Sequence, residues 1–403
     1  MDSCTYPLPP HGVHKIPLDQ LDTRPDTEID HEITHPGPVQ DDKNVWFFWH
    51  SGYETMHPYT KRNIRAWYRR LSKQGWVIRV LNRQPHSPLN VSHFLDVQDP
   101  SIFPQAFIDG TIGGHHIAQH TSDLVRFPLL VTYGGVYADV GLLMIGDLDR
   151  LWRETVAKPD SAKEVISFRF EEIGLTNYFL CARRKTPFFE RCHRLFLKLW
   201  EGRNSTEGMW KSPLLKGVPV LESPKGFEQD GRSYSKEEAS HMLTDYITQG
   251  QVISLVLGLV DEEGGWNGPE YAAQNIYAMD YMVGSQLINE MTAWNGPRAF
   301  ELMSLSLPGQ GEKESEDQQK AREIVEACLS RSFAFKLAHG LILAILGDTL
   351  GSLWRRHEGS DDVPNTYAHW LRYGILHWTQ DEIPPAHEFG PFEPFKTGPL
   401  LSE

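Results

Sequence analysis

Thr121-Ser122-Asp123-Leu124-Val125-Arg126, followed by Tyr133-Gly134-Gly135-Val136-Tyr137-Ala138-Asp139, is the stretch whose residue types and spacing are best suited to chemistry. Asp123 and Arg126 are three apart, so a helix sets both on one face. Two glycines then bring the chain sharply into an apolar run that ends on a second carboxylate, Asp139. Two carboxylates and a guanidinium facing one cleft can bind a metal, a diphosphate or sugar hydroxyls. The same residues also fit a plainer arrangement, a helical Asp123–Arg126 pair with Asp139 at a strand end.

Positioning these groups requires alternating strands and helices, and the flanking sequence reads that way. Asn44 to Trp49 is an apolar run that predicts a buried strand. Ile64, Trp67, Tyr68 and Leu71 recur at helical spacing within a helix expected over 58–73. A strand over 76–81 follows, then a helix over about 115–132, a strand at 136–140, strands at 165–170 and 177–182, and a helix over 187–200. This alternation predicts an α/β sheet, where ligands collect beyond the carboxyl ends of the strands and thus near Asp139. Beyond residue 203 the pattern is mainly helical, with helices expected near 236–258, 270–293 and 317–346. The expected organisation is an extended N-terminal arm over 1–42, a sheet domain over 43–203 and a helical region over 204–403 that completes the cleft.

Lys plus Arg number 39 against 53 Asp plus Glu, a net charge of −14 that argues against general nucleic-acid binding. One segment departs from that average. Between Thr55 and Leu95 no acidic residue occurs, while Lys61, Arg62, Arg65, Arg69, Arg70, Lys73, Arg79 and Arg83 do. Arg62, Arg65 and Arg69 share the helix face opposite the apolar stripe, either as a solvated surface or as a docking face for a polyanion such as tRNA. Four scattered cysteines exclude a disulfide framework and point to a reducing compartment. The most apolar run, Phe333 to Gly347, contains Lys336 and His339 and falls short of the roughly 20 residues a membrane span needs. A cytoplasmic protein without an integral membrane segment is the expectation.

The Ser-Asp-Leu-x-Arg and Tyr-Gly-Gly-Val-Tyr-Ala-Asp elements resemble the core of sugar-nucleotide-dependent glycosyltransferases of the Och1-like and capsular polysaccharide synthesis group. Trp49, Gly52, Trp67 and Gly75-Trp76 keep the group's order upstream, and Asn177-Tyr178-Phe179 with Pro187-Phe188-Phe189 keep it downstream. The resemblance covers about residues 44 to 200, and the helical C-terminal half resembles fungal capsule polysaccharide biosynthesis proteins. It implies a GT-A type Rossmann-like sandwich with a helical C-terminal elaboration. It further implies a nucleotide-sugar donor, a small-molecule or glycan acceptor and retention of configuration.

By position, the resemblance makes Asp123, Arg126 and Asp139 the catalytic set. Phe48, Trp49, His50, Gly52, Gly134, Gly135 and Tyr137 become the donor-binding set, with Phe48 to Gly52 holding the base. Asp139 would be the first carboxylate of an Asp-x-Asp element holding Mn²⁺ or Mg²⁺, but here the element reads Asp139-Val140-Gly141 and lacks the second. Asp147 and Asp149 lie close enough in sequence to substitute, or form a solvated turn. A late histidine supplies a metal ligand in many such enzymes, which makes His369 and His377 candidates, with surface histidines as the other reading. Two rival readings use the same scaffold: aminoacyl-tRNA-dependent synthesis of arginine-containing cyclodipeptides, and a non-catalytic binding protein.

Overall fold

The computed structural model describes residues 6–170, 174–229 and 231–402. Cys4 lies outside them, while Cys181, Cys192 and Cys328 are free and buried. The N-terminal segment is more regular than an extended arm. Val13–Lys15 pairs antiparallel with Trp378–Gln380, and Asp26–Thr34 forms a helix, α1. Order there comes from tertiary partners, because Ile29 and Ile33 are buried in the same apolar cluster as Ile64 and Trp67.

The chain then runs β1 (Asn44–Phe48), α2 (Pro58–Leu71), β2 (Val77–Leu81), α3 (Ile117–Tyr133), β3 (Gly135–Ala138) and β4 (Leu142–Met144). After these come β5 (Val165–Phe170), β6 (Gly174–Ala182) and α4 (Pro187–Leu199). The C-terminal half supplies α5 (Lys236–Tyr246), α6 (Thr248–Leu257), β7 (Ile276–Asp280), α7 (Glu316–Arg331), β8 (Ala334–Lys336), α8 (Leu350–Arg356) and α9 (Tyr367–His377). Six of these strands form one mixed sheet in the order β7-β5-β6-β3-β1-β2. Among them β6 alone runs against its neighbours.

Strand β1 is buried on both faces, and its alternation sorts its side chains between two cores. Trp46 and Phe48 join Leu124 and Phe127 of α3 on one side, while Val45 and Phe47 join Ile64 and Trp67 of α2 on the other. Both faces are thus covered by helices, the arrangement a largely parallel sheet needs. A third core gathers the C-terminal helices, with Ile324, Trp354 and Trp370 beside Leu143 of β4 and Phe335 of β8.

Two expected helices are interrupted by strands. Residues 270–293 begin as a helix that ends at Asn275, and the chain continues as β7, paired in parallel with β5. The helix expected over 317–346 stops at Arg331 and is followed by β8, paired antiparallel with β4. Short apolar runs such as Ile276–Met279 and Phe333–Phe335 suit either element, and a waiting strand edge decides between them. No helix among the described residues is long and apolar enough to cross a membrane.

Candidate active site

Strands β1, β2 and β3 are mutually parallel, so their C-terminal ends share one edge, and Asp139 leaves the sheet there directly after β3. Its backbone N–H donates to the Tyr178 carbonyl at 2.9 Å, and its own carbonyl accepts from the Leu142 N–H at 2.9 Å. These bonds hold the turn that aims the carboxylate. From α3, Arg126 reaches both acids: its Nη2 lies 2.9 Å from Asp123 Oδ1 and 3.5 Å from Asp139 Oδ1. The guanidinium also donates to the Asn177 carbonyl, lies 3.2 Å from Ser122 Oγ and sits 4.8 Å over the Tyr137 ring.

Burial and charge separate the members of this group. Burial alone would lower the pKa of Arg126, but Asp123, Tyr137 and Asp139 outweigh it and leave the guanidinium more basic than usual. Asp123 is enclosed, with His120 Nδ1 at 3.6 Å and its backbone carbonyl accepting from Gln249 Nε2 at 2.9 Å. Asp139 keeps 29% of its side chain exposed, against 10% for Asp123, so Asp139 is the acid presented to the cleft.

The C-terminal half closes the site with groups that no motif had marked. Lys336, the last residue of β8, places Nζ 3.1 Å from Asp139 Oδ2. His339 Nε2 lies 3.1 Å from the Tyr59 hydroxyl. Burial, with Lys336 and Arg355 nearby, pushes the His339 pKa down to about 3, so the imidazole is neutral at physiological pH. Tyr246, at the end of α5, packs its ring 4.7 Å from His116. Burial together with Asp123 and Asp139 raises its phenol pKa above the ordinary value.

The candidate donor-binding residues divide by position. Trp49, half-buried, and His50, exposed, lie at the same strand edge as Asp139, followed by Gly52 at φ 86°. Trp49 Nε1 donates to Thr55 Oγ1 at 3.1 Å and its ring meets His57 edge-on. Phe48 is 7% exposed and belongs to the core beneath them. Gly134 and Gly135 stand at the opposite, N-terminal end of β3, and their role is close backbone approach. A Cβ on Gly135 would lie 2.4 Å from the Asn44 carbonyl oxygen, and one on Gly134 2.6 Å from the Arg184 nitrogen. Tyr137 is fully buried, its hydroxyl 2.7 Å from Ser122 Oγ, so it supports Arg126 rather than facing the cleft.

His369 and His377 do not join Asp139. They line a separate cavity of about 370 Å³ with Arg62, Arg65 and Arg69. His369 bonds to the Tyr6 hydroxyl and lies 3.7 Å from Asp362, while the His377 ring lies tilted 4.4 Å from that of Tyr373. Asp147 caps the helix Leu148–Glu154, and Asp149 is buried among Lys43, Trp76 and Arg153, so neither replaces the missing second acid. The basic segment is not an open polyanion face either. Arg62 pairs with Asp361, Arg65 with Asp26 and Asp30, and Arg69 with Asp26. Arg70 is enclosed by the carbonyls of Met144, Ile145, Gly146 and Ile375.

Residues 14–208 match the family model described as capsular polysaccharide synthesis protein. The O-glycosyltransferase braB of Annulohypoxylon truncatum is 35% identical over 389 residues, covering 94% of this chain and 90% of that relative. The chain belongs to the capsular polysaccharide synthesis family of glycosyltransferases. The O-glycosyltransferase PaGT of Phomopsis amygdali is similar over nearly its whole length, at 31% identity with 96% of this chain and 97% of that relative covered. A solved PaToxG glycosyltransferase aligns at 17% identity over 43% of this chain and 67% of that one, with a TM-score of 0.26.

For this glycosyltransferase, a divalent cation is what the altered Asp-x-Asp element brings into question. The gathered side chains do not make a protein-built cation site. Val140 and Gly141 offer no second carboxylate, and the one acid is already bridged by Arg126 and Lys336. Among the described residues no group of three or more His, Cys, Asp or Glu side chains is arranged to hold a metal ion. Sequence reasoning missed Lys336 and His339 because their only local signal, two polar residues inside the apolar run Phe333 to Gly347, read as a membrane-span disqualifier, and Tyr246 because nothing local sets it apart at the end of its helix.

Proposed function

We propose that this glycosyltransferase moves a sugar from a nucleotide-sugar donor to a hydroxyl of a small polyhydroxylated acceptor, on a GT-A type sheet, in the cytosol and with retention. The observation that carries this reading is Asp139. It is a half-open carboxylate on the C-terminal edge of parallel strands, gripped by a buried arginine, in a chain whose relatives are named O-glycosyltransferases. The half-buried Trp49 and the exposed His50 stand on the same edge and suit a nucleobase. Arg126 and Lys336 would face the diphosphate, where negative charge grows as the sugar departs. His339 stays neutral and can hold a hydroxyl without adding charge.

The test is product mass after incubation with a panel of nucleotide sugars and a metabolite extract, with the anomeric configuration read by NMR. Asp139→Ala is expected to lower transfer by on the order of 100-fold. Unchanged transfer in that variant would remove Asp139 from the reaction, and an inverted product would remove retention.

A further inference from the structure

Lys336 is the second cation, beside Arg126, that reaches the outward-facing acid of the site, and it comes from a part of the chain with no transferase motif. It is held from several directions. Strand β8 registers Lys336 opposite Leu142, three residues beyond Asp139. Its Nζ lies 3.1 Å from Asp139 Oδ2, donates to the Leu337 carbonyl at 3.2 Å and sits 5.7 Å from the centre of the Tyr178 ring. The side chain is 16% exposed, so the ammonium is desolvated on most sides.

The local charges are Asp123 and Asp139 against Arg126 and Lys336, which cancel. A divalent cation seeks oxygen donors, and here it would meet one carboxylate already shared by two cations. Binding would require displacing Lys336 against the field of Arg126. Arg355, exposed at the end of α8, adds a further positive charge close enough to act on His57 and His339. A nucleoside diphosphate would therefore enter a site whose cations are side chains.

Building on the transferase reading above, we propose that Lys336, with Arg126, receives the leaving nucleoside diphosphate in the place where a family relative would use a metal ion, so that this chain transfers sugar without a divalent cation. In the step, the bond from the anomeric carbon to the phosphate oxygen breaks and its electron pair stays on the phosphate. The bond from the acceptor oxygen to the anomeric carbon forms, and the acceptor's hydroxyl proton passes to the departing phosphate oxygen. The Lys336 ammonium donates hydrogen bonds to that phosphate throughout and gives up no proton. Asp139 keeps the ammonium in place until the donor arrives.

The experiment is calorimetric titration of the full chain with uridine and guanosine diphosphates, once in EDTA and once in Mn²⁺, followed by turnover under both conditions. One nucleotide is expected to bind in EDTA within about threefold of its affinity in Mn²⁺, with turnover likewise retained. Lys336→Met should weaken that binding by about tenfold and lower turnover by on the order of 100-fold, and Lys336→Arg should recover part of both. A thermal midpoint for Lys336→Met close to the parent's separates this loss from misfolding. If the methionine variant does not fold, the comparison of EDTA with Mn²⁺ on the parent decides alone. Binding or turnover that requires Mn²⁺, or unchanged binding in a folded Lys336→Met, overturns the role of Lys336 and leaves the transferase reading standing. Failure of both nucleotides and of all sugar transfer under either condition overturns the transferase reading, and this inference with it.

Discussion

Arg126 and Arg62 are both held by aspartates, yet the two networks differ in what they leave open. Around Asp361, which pairs with Arg62, the charges close on themselves, although Asp26 at the rim keeps 53% of its side chain exposed. Asp361 is fully buried and takes Arg62 on one side and Arg372 at 2.7 Å on the other, while Arg65 and Arg69 are met by Asp26 and Asp30 from α1. Around Arg126 the charges also balance, but Asp139 stays partly exposed and Lys336 reaches it from a strand of the other half. The first network fastens α1 and α9 to α2. The second fastens the two halves together while presenting its charges to a cleft. A run of arginines in sequence therefore says little about what those arginines touch, whereas an acid left half-open beside buried cations marks a place for a ligand.

The largest test of that contrast removes the centre of the open network. Arg126→Met leaves Asp123 and Asp139 facing each other without their shared cation. It is expected to lower transfer by on the order of 100-fold or more and to cost about 3 kcal/mol of stability, read by kinetics and by urea unfolding. Asp361→Asn strikes the closed network instead. It strands two arginines and should cost about 3 kcal/mol, with transfer per folded molecule unchanged. A drop in that specific rate would erase the distinction between the networks.

The same variant carries a pH signature. Burial opposes ionisation of Asp361, but Arg372 and Arg62 outweigh it and hold its pKa below the ordinary 3.8. Its contribution to stability is complete above that ordinary value and is lost as pH falls through the depressed one. The gap in unfolding free energy between parent and Asp361→Asn should therefore close only in strong acid. The smallest effect belongs to Arg65→Ala, whose ion pairs are partly solvated: about 1 kcal/mol or less, with transfer intact. A steep salt-dependent affinity of the parent for tRNA would contradict the pairing of this face.

Much of the sheet was legible because its strands are short apolar runs next to helices with a clear stripe, as in Asn44–Phe48 and Ile64 to Leu71. The grouping of Asp123, Arg126 and Asp139 was legible because two of them share a helix face and the third stands at a strand end. What stayed hidden were β7 and β8, five- and three-residue pieces whose conformation depends on the edge that receives them. Lys336 was hidden with β8. His369 and His377 misled because a late histidine in sequence need not be near the cleft, and here α9 carries both to another cavity.

The sequence by itself determined the alternation of strand and helix, the burial of β1 and the placement of Asp139 near the C-terminal end of a strand, because periodicity and glycine geometry act within a few residues. Which charges neutralise one another, and which remain open to a ligand, was decided only by the tertiary structure. Lys336 lies nearly two hundred residues from Asp139, and a 3.1 Å contact over that separation depends on the packing of every element between them.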